Sequence, residues 1–271
     1  MIKCYLDCNK VKKVGRKLLG KLQIILEKLQ DRHLNVNVSS LLQGVLMEFI
    51  SYESATEFHN GGRQPYSQHV QIQGDCLVWN IHTLTKQAYD QIMVPMLDDS
   101  IEKIYLRHKD LELKILEKQK SSLSYNQLRK DYYFTNGSRY QTIRFITPTA
   151  FKSKGEYIFY PSVHFLFQSL MMKYDVSSDD ADIFGEDVME HFEENIKIVR
   201  YKLRSYDFHL EGTKIPAFLG EITLKMNGPQ ALVNLADYLL KYGEYSGVGI
   251  KCGIGMGGMK IEKGELPWQR K

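Results

Sequence analysis

Histidine is the side chain best suited to proton transfer near neutral pH, because the pKa of a free imidazole is about 6.5. The chain has eight histidines, and most of them lie within patterns that predict a strand or a helix. His59 is different because it follows a predicted helix and precedes Gly61 and Gly62. That spacing predicts a short loop on which the chain can approach a ligand closely. His59 is therefore the candidate general acid or base, although a surface or helix-capping histidine would show the same pattern.

Side chains close to His59 in the sequence could assist it. Arg63 would supply positive charge, since no lysine lies in this part of the chain. Tyr52, late in the predicted helix, and Tyr66 could each position a reacting hydroxyl group, although tyrosines there can equally serve packing. His69 is a second imidazole nearby, but it enters a predicted strand, which argues against a catalytic role.

The segment GVGIKCGIGMGG, residues 247–258, has six glycines among its twelve residues. Glycine inside a regular element costs roughly 0.5–1 kcal/mol relative to alanine, so the segment needs positive φ angles or a close approach to its backbone. A phosphate-binding P-loop is not indicated, because no Lys-Ser or Lys-Thr pair follows at the required spacing. A dinucleotide fingerprint would open a helix, whereas the next predicted element is a strand. Two interpretations stay open: a turn packed against a sheet, and a loop whose N–H groups and Lys251 hold phosphates.

Two further groups of basic residues could form a track for phosphates. Arg200, Lys202 and Arg204 alternate along a predicted strand and therefore share one face. Lys152 and Lys154 lie at the tip of a predicted hairpin. A solvated sheet face would give the same alternation. The predicted helix at about 179–195 is acidic and has no Lys or Arg, which fits a solvated helix face or a metal-dependent site.

Composition places the chain among globular proteins of one or two domains. Its 271 residues are 43% hydrophobic and 25% charged, and the formal net charge of +4 permits an anionic partner without requiring one. No apolar run reaches the ~20 residues of a membrane helix, and we find no signal-peptide pattern. The four cysteines form no CxxC pair. We therefore expect a cytoplasmic protein with reduced thiols and no membrane partner.

Hydrophobic periodicity predicts a ferredoxin-like order of elements in each half of the chain. In the first half the pattern predicts a strand at 20–30, a helix capped at Ser39 or Ser40 with Gln43 completing a capping box, strands at 70–74 and 76–84 joined at Gly74-Asp75, a helix at 86–97 and a strand at 101–108. The polar stretch 109–139 is predicted to be irregular or partly hairpin.

The second half repeats the pattern. The predicted elements are a strand at 140–149, a helix from Pro161 to Lys173, the acidic helix, strands at 195–210 and 217–226, a helix opened by Gly228-Pro229 and ended by Gly243, and a strand at 259–262. We therefore predict an α+β protein of two tandem ferredoxin-like (RRM-like) domains with antiparallel sheets. The predicted domains are residues 1–125, with His59, and residues 126–271, with the glycine-rich segment.

Four segments in order resemble one family of CRISPR-associated proteins. Gly247-Val248-Gly249, five residues, and Gly255-Met256-Gly257 match a GhGxxxxxGhG pattern in which h is hydrophobic. The other three segments are LLQGVLMEFIS at 41–51, FHNGGRQPYS at 58–67 and FITPTAFKSKGEYIFYPSVHFLFQSL at 145–170. From about residue 20 to 262 the chain thus resembles the sixth Cas family of the repeat-repeat protein superfamily. The members of that family are endoribonucleases that process precursor CRISPR RNA.

The resemblance implies metal-independent cleavage of CRISPR repeat RNA without a cofactor, by attack of the 2′-hydroxyl that leaves a 2′,3′-cyclic phosphate and a 5′-hydroxyl. It places His59 where the family has its catalytic histidine, with Arg63 as electrostatic helper and Tyr52 as a further catalytic candidate. The residues that we then expect to bind RNA are Gly247, Gly249, Lys251, Gly253, Gly255, Gly257, Arg200, Lys202, Arg204, Lys152 and Lys154. Hand-over of the product to a CRISPR effector complex is a further expectation, and DNA is not an expected partner.

Two other functions fit parts of the sequence. A non-catalytic CRISPR RNA-binding protein or effector-complex subunit would share the fold and the glycine pattern, although His59 on its glycine-flanked loop argues for catalysis. A metal-dependent nuclease or nucleotide enzyme would use the acidic segment and would be sensitive to a chelator.

Overall fold

The first half of the chain forms a five-stranded antiparallel sheet whose apolar face is covered by helices. The computed structural model describes residues 18–27, 34–50, 64–178, 180, 182–210 and 212–263. The elements of this half are β1 (Leu18–Glu27), α1 (Val38–Phe49), β2 (Tyr66–Gln73), β3 (Cys76–Thr83), α2 (Lys86–Ala88, a π-helical turn at Tyr89–Met93, and Val94–Met96), β4 (Lys103–Leu106) and β5 (Leu111–Ser124). The strand order is β2-β3-β1-β5-β4.

Alternation along β1 explains how this sheet acquires its core. Leu22, Ile24 and Leu26 are fully buried, and they pack in one cluster with apolar residues of both helices, such as Leu42 and Ile92. The residues between them point to the opposite face and are partly exposed. One face of the sheet is therefore closed by α1 and α2, while the other is polar.

The second half forms a four-stranded antiparallel sheet in the order β11-β6-β10-β9. Its elements are α3 (Tyr125–Leu128 and a π-helical turn at Arg129–Tyr133), β6 (Tyr140–Thr149), the hairpin β7 (Phe151–Ser153) and β8 (Glu156–Ile158), α4 (Val163–Ser177), α5 (Glu186–Asn195), β9 (Ile196–Leu210), β10 (Thr213–Met226), α6 (Gln230–Ser246) and β11 (Met259–Lys263). The described helices include none long and apolar enough to cross a membrane.

The two sheets confirm the prediction of tandem ferredoxin-like folds. In the second half the first strand β6 lies between the last strand β11 and the third strand β10. The first half has the same arrangement with β5 in the place of the last strand and β4 added at the edge. The division of the chain between residues 125 and 126 stays a prediction, and Tyr125 itself is buried in the core of the second half.

The prediction that residues 109–139 are irregular or partly hairpin is only partly right: β5 forms a hairpin with β4 and residues 134–139 are irregular, but residues 111–133 are regular structure. Residues Leu111–Ser124 form β5, which pairs antiparallel with β1 along most of its length, and α3 follows it directly. Leu111 and Leu113 are buried and alternate with exposed charged residues, but from Leu116 onward mostly polar or charged side chains occupy both faces of β5, so most of the strand has no amphipathic period. Along this later part, the backbone ladder to β1 stabilises the strand rather than the burial of one face. The predicted strand at 101–108 is correspondingly shorter, at Lys103–Leu106.

Two predicted helix ends are also wrong. Helix α1 begins at Val38, so Ser39 and Ser40 lie in its first turn and donate back to the Val36 and Asn37 carbonyl oxygens instead of capping the helix. Gly243 lies inside α6, which ends at Gly247 with a φ of 62°. A side chain at Gly243 would meet Leu170 and Met259 at 2.8 Å. Close packing therefore requires a glycine there, not a helix end.

Candidate functional site

The three predicted catalytic residues, His59, Arg63 and Tyr52, lie outside the residues that the structure describes. The described chain resumes at Gln64, directly after Arg63, and Gln64 lines a cavity of about 490 Å³. Tyr66 of β2 lines it as well, and the other walls come from the second half of the chain, chiefly the hairpin, α4 and the glycine-rich segment. The cavity therefore lies between the two halves, next to the position in the chain where catalysis was predicted.

Three lysines line this cavity: Lys152 from β7, Lys173 from α4 and Lys251 from the glycine-rich segment. No Asp or Glu is among the described residues that line it. Like charges gathered without a counter-charge repel one another, so the arrangement favours an anion in the cavity.

Lys173 is held in place by the end of α6. Its Nζ donates to the Gly247 carbonyl oxygen at 3.1 Å and to Cys252 Sγ at 2.9 Å. The C-terminal end of a helix carries unpaired carbonyl oxygens and partial negative charge, which stabilise a cation. Lys173 therefore ties α4 to the beginning of the glycine-rich segment.

Contacts within the protein account for the glycines of the segment. Gly249 and Gly257 have φ angles of 80° and 72°, and a side chain on either would overlap a backbone carbonyl oxygen. Side chains at Gly253 and Gly255 would overlap Gln64 and Ser39 of the first half. The segment is therefore the part of the second half that fits most closely against the first, which supports the interpretation of a packed turn.

Most N–H groups of the segment are also used inside the protein. Eight of the twelve donate to acceptors among the described residues, namely those of residues 247, 248, 249, 250, 254, 256, 257 and 258. Examples are the bonds from Gly257 to the Pro148 carbonyl oxygen at 3.0 Å and from Ile250 to that of Ala150 at 2.9 Å. An anion-binding cradle running along the whole segment is therefore not available, and only residues near Lys251 could contribute to one.

Gln68 joins the segment to the first half. Its Nε2 donates to the Ser39 carbonyl oxygen of α1 at 2.8 Å and to that of Gly253 at 3.2 Å. Its Oε1 accepts from Trp79 Nε1 at 2.9 Å. Gln68 is fully buried, so its amide group connects β2, β3, α1 and the glycine-rich segment without competition from water.

The structure places Arg200, Lys202 and Arg204 together on one exposed face of edge strand β9. Lys202 lies opposite Glu221 of β10. Lys202 and Arg204 also line a second cavity, of about 720 Å³, which reaches across to the first half of the chain at Asn35 and Ile72. This stripe therefore borders a groove between the halves and not an isolated sheet face.

The predicted hairpin is confirmed, and it separates its two lysines. Lys152 extends into the lysine-lined cavity, with its Nζ 5.7 Å from the centre of the Tyr157 ring. Lys154 is exposed at the tip, where its φ is 48°. The two lysines can thus bind different parts of one long ligand.

Comparison with known proteins identifies the family. The family model of the CRISPR-associated endoribonuclease Cas6 matches residues 143–259. A Cas6 endoribonuclease of Streptococcus thermophilus is 34% identical over 81% of this chain and 89% of its own length. The chain belongs to the Cas6 family. A second relative, a Cas6 endoribonuclease of Mycobacterium tuberculosis, is 30% identical over 82% of this chain and 70% of its own length.

Solved Cas6 structures share the fold. A Cas6 product complex superposes with a TM-score of 0.76 at 19% identity, covering 91% of this chain and 100% of its own. Cas6 of Thermus thermophilus gives a TM-score of 0.70 at 20% identity, covering 91% and 99%. A Cas6-related protein of Pyrococcus furiosus gives 0.59 at 12% identity, covering 91% and 100%. Membership of the Cas6 family makes this protein an endoribonuclease.

The histidines of β2 and β3 are structural in this Cas6 protein. His69 and His82 are buried with their rings stacked 5.7 Å apart. Burial, assisted by Lys21, lowers the pKa of His69 to about 4, and burial also lowers the pKa of His82. His69 is therefore neutral at pH 7 and unsuited to act as a general acid. Tyr66 is likewise buried, at 1% exposure, although it lines the lysine-lined cavity.

The acidic segment also has structural roles. Asp175 accepts from the backbone N–H groups of Ile183 and Phe184, and Asp180 pairs with Arg129. Helix α5 buries Met189 and exposes most of its carboxylates. Among the described residues, no three metal-binding side chains come together.

Sequence reasoning missed Lys173, Gln64 and Gln68. Lys173 is the only Lys or Arg of α4, which is otherwise mostly apolar. A single cation in such a helix could have been recognised in the sequence as a candidate anion-binding residue. The two glutamines carry no signal, because their roles depend on segments distant in sequence.

Proposed function

We propose that this Cas6 protein cuts the repeat RNA of precursor CRISPR transcripts to release guide RNAs. The observation that carries the proposal is the lysine-lined cavity beside Gln64, where an anionic chain can lie next to the residues that follow His59. Family membership supports it, as do the solved relatives described as a product complex and a substrate mimic complex.

The proposed reaction needs no metal ion, because RNA carries its own nucleophile. The 2′-oxygen attacks the adjacent phosphorus and loses its proton to a base, while the bond from phosphorus to the 5′-oxygen breaks and that oxygen gains a proton. The products are a 2′,3′-cyclic phosphate and a 5′-hydroxyl. The protein must align the three reacting atoms and supply a base and an acid. It must also place positive charge next to the negatively charged phosphorane.

In this proposal His59 transfers a proton, Arg63 stabilises the phosphorane and Tyr52 positions the 2′-hydroxyl. His59 is the only one of the three whose residue type suits a proton transfer at neutral pH. The charge need not come from Arg63 alone, because the structure provides lysines from the second half of the chain in the adjacent cavity.

RNA would follow the basic residues that the structure leaves exposed. Arg200, Lys202 and Arg204 would bind phosphates along the groove between the halves, and Lys152 and Lys154 would bind them at the hairpin. Of the glycines, Gly249 and Gly253 line the lysine-lined cavity and would contact RNA directly. Gly247, Gly255 and Gly257 would act by shaping the segment that carries Lys251.

The proposal extends to the cellular role. The product would pass to a CRISPR effector complex, and the protein would act in the cytoplasm on RNA, without a DNA or membrane partner. A non-catalytic RNA-binding protein of the same fold is the second candidate, because the lysine-lined cavity would serve binding as well as cleavage.

Cleavage of end-labelled repeat RNA in the presence of EDTA tests the proposal. The wild type should make one defined cut, and His59→Ala should slow it by about 10²–10⁴-fold while RNA still binds. His191→Ala is the matched control, because the His191 side chain is 70% exposed on the acidic helix. Binding should weaken steeply with salt if phosphates provide most of the contacts.

Each other outcome contradicts a named part of the proposal. Binding without a cut by the wild type would support the non-catalytic candidate. Equal cutting by the wild type and His59→Ala would assign catalysis to another residue, and loss of the cut with EDTA would indicate a metal-dependent reaction.

A further inference from the structure

Lys251 occupies a backbone conformation that the rest of its segment reserves for glycine. Its φ is 55°, in the left-handed region where a side chain is disfavoured. The other positive-φ positions between residues 247 and 258 are all glycines: Gly247, Gly249, Gly255 and Gly257. Glycine at position 251 would adopt this positive φ without the strain that a side chain causes. The lysine side chain therefore serves something other than the turn.

Lys251 lines the lysine-lined cavity, and it belongs to none of the ion pairs among the described residues. Lys173, in the same cavity, already donates to Gly247 and Cys252. Lys152 lies over the Tyr157 ring. Within the described residues the ammonium group of Lys251 has no protein partner, whereas those of Lys173 and Lys152 each have one, so it is the most available of the three to an anion.

The turn that carries Lys251 also touches the chain next to the predicted catalytic residues. A side chain at Gly253, two residues after Lys251, would overlap Gln64 Oε1. Gln64 follows Arg63 directly in the sequence. An anion bound by Lys251 therefore lies beside the wall to which Gln64 contributes.

We propose that the Lys251 ammonium group binds a non-bridging oxygen of the phosphate that is cut and stabilises the charge that develops there. This inference rests on the proposed function. As the 2′-oxygen attacks, the phosphate changes from one negative charge to two in the phosphorane, and the charge returns to one as the 5′-oxygen leaves. Lys251 stays protonated throughout and transfers no proton, so it acts as a fixed positive charge.

Lys251→Gly separates this role from a role in folding, because glycine removes the side chain and also relieves the backbone. The midpoint of urea unfolding should be equal to or above that of the wild type. The single-turnover cleavage rate at saturating protein should fall by about 10²–10³-fold, the usual effect of removing one charge-stabilising donor. Lys251→Arg should restore cleavage to within about tenfold, since it keeps the charge.

Asp110→Gly is the matched control. Asp110 has a φ of 45° and is exposed on the β4–β5 connection, and it lines neither the lysine-lined cavity nor the groove beside β9. The substitution makes the same change of backbone preference and should leave the cleavage rate unchanged. The salt dependence of repeat-RNA binding gives a second readout, because loss of one phosphate contact should reduce its slope by about one.

The outcomes separate this inference from the proposed function. Wild-type cleavage together with equal cleavage by Lys251→Gly would overturn the inference and leave the proposed function intact. A loss of rate fully explained by weaker binding would overturn the role in the transition state. If the wild type binds RNA without cutting it, the proposed function and the catalytic role of Lys251 both fail, and an unchanged salt slope would overturn its phosphate contact as well.

Discussion

Gln68→Glu tests whether the buried amide of Gln68 fixes the glycine-rich segment to the first half of the chain. The substitution keeps the shape of the side chain but replaces two N–H donors by an oxygen. The two carbonyl oxygens that now accept from Nε2, those of Ser39 and Gly253, would face a carboxyl group in a site that water does not reach.

The cost of Gln68→Glu follows from the hydrogen bonds. When Glu is protonated, its O–H satisfies one carbonyl oxygen and its other oxygen still accepts from Trp79 Nε1. One carbonyl is left without a donor, which costs about 1–3 kcal/mol. Ionisation would place a negative charge against both carbonyls without solvent, so burial raises the pKa of the new carboxyl group above its usual value of about 4.3.

A raised pKa in the folded state makes the cost depend on pH. Above about pH 4.3 the unfolded chain has lost this proton while the folded protein keeps it, so the stability of the variant falls as pH rises. The slope is about 1.4 kcal/mol per pH unit until the folded-state pKa is reached. Between about pH 5.5 and pH 7.5, the destabilisation relative to the wild type should therefore grow by up to about 2.7 kcal/mol.

Urea unfolding followed by tryptophan fluorescence measures this difference, because Trp79 is fully buried and contacts Gln68. Gln73→Glu makes the same chemical change at an exposed position of the same strand and should show no such growth. A destabilisation of Gln68→Glu that is the same at both pH values would refute the reasoning, since it would mean that the site is open to water.

Two further measurements test the packing of the first sheet. Gly20→Ala should destabilise the protein by about 1–3 kcal/mol in urea unfolding, because the new methyl group would meet Met93 and Tyr89 at 2.6 and 2.7 Å. Replacing a glycine inside a strand ordinarily stabilises a protein, so increased stability of this variant would contradict the close packing at β1. The buried pair of His69 and His82 should make the wild type acid-sensitive, because the unfolded chain gains these protons near pH 6.5 while the pKa of folded His69 is about 4. Stability should fall between those pH values by up to about 1.4 kcal/mol per unit for each histidine, and His69→Gln should reduce that slope.

Local patterns determined most of the secondary structure. The alternation in β1 and β3, the turn at Gly74-Asp75 and the apolar faces of α1 and α6 are visible in the sequence because each depends on neighbours within a few residues. Their order gave the ferredoxin-like fold twice, and four short segments indicated the family. Most of strand β5 was missed because its residues after Ile115 are held by backbone hydrogen bonds to β1 and show no hydrophobic period of their own.

The tertiary structure decided the composition of the candidate site. Gln64, Lys152, Lys173 and Lys251 lie up to 187 residues apart in the sequence and line one cavity. Their spacing carries no information, because the two sheets and the packed glycine-rich segment bring them together. The sequence showed that the segment needs glycine, which is a property of the backbone. What lies against those glycines, and why Lys251 stands among them, depends on contacts between the two halves that only the folded chain makes.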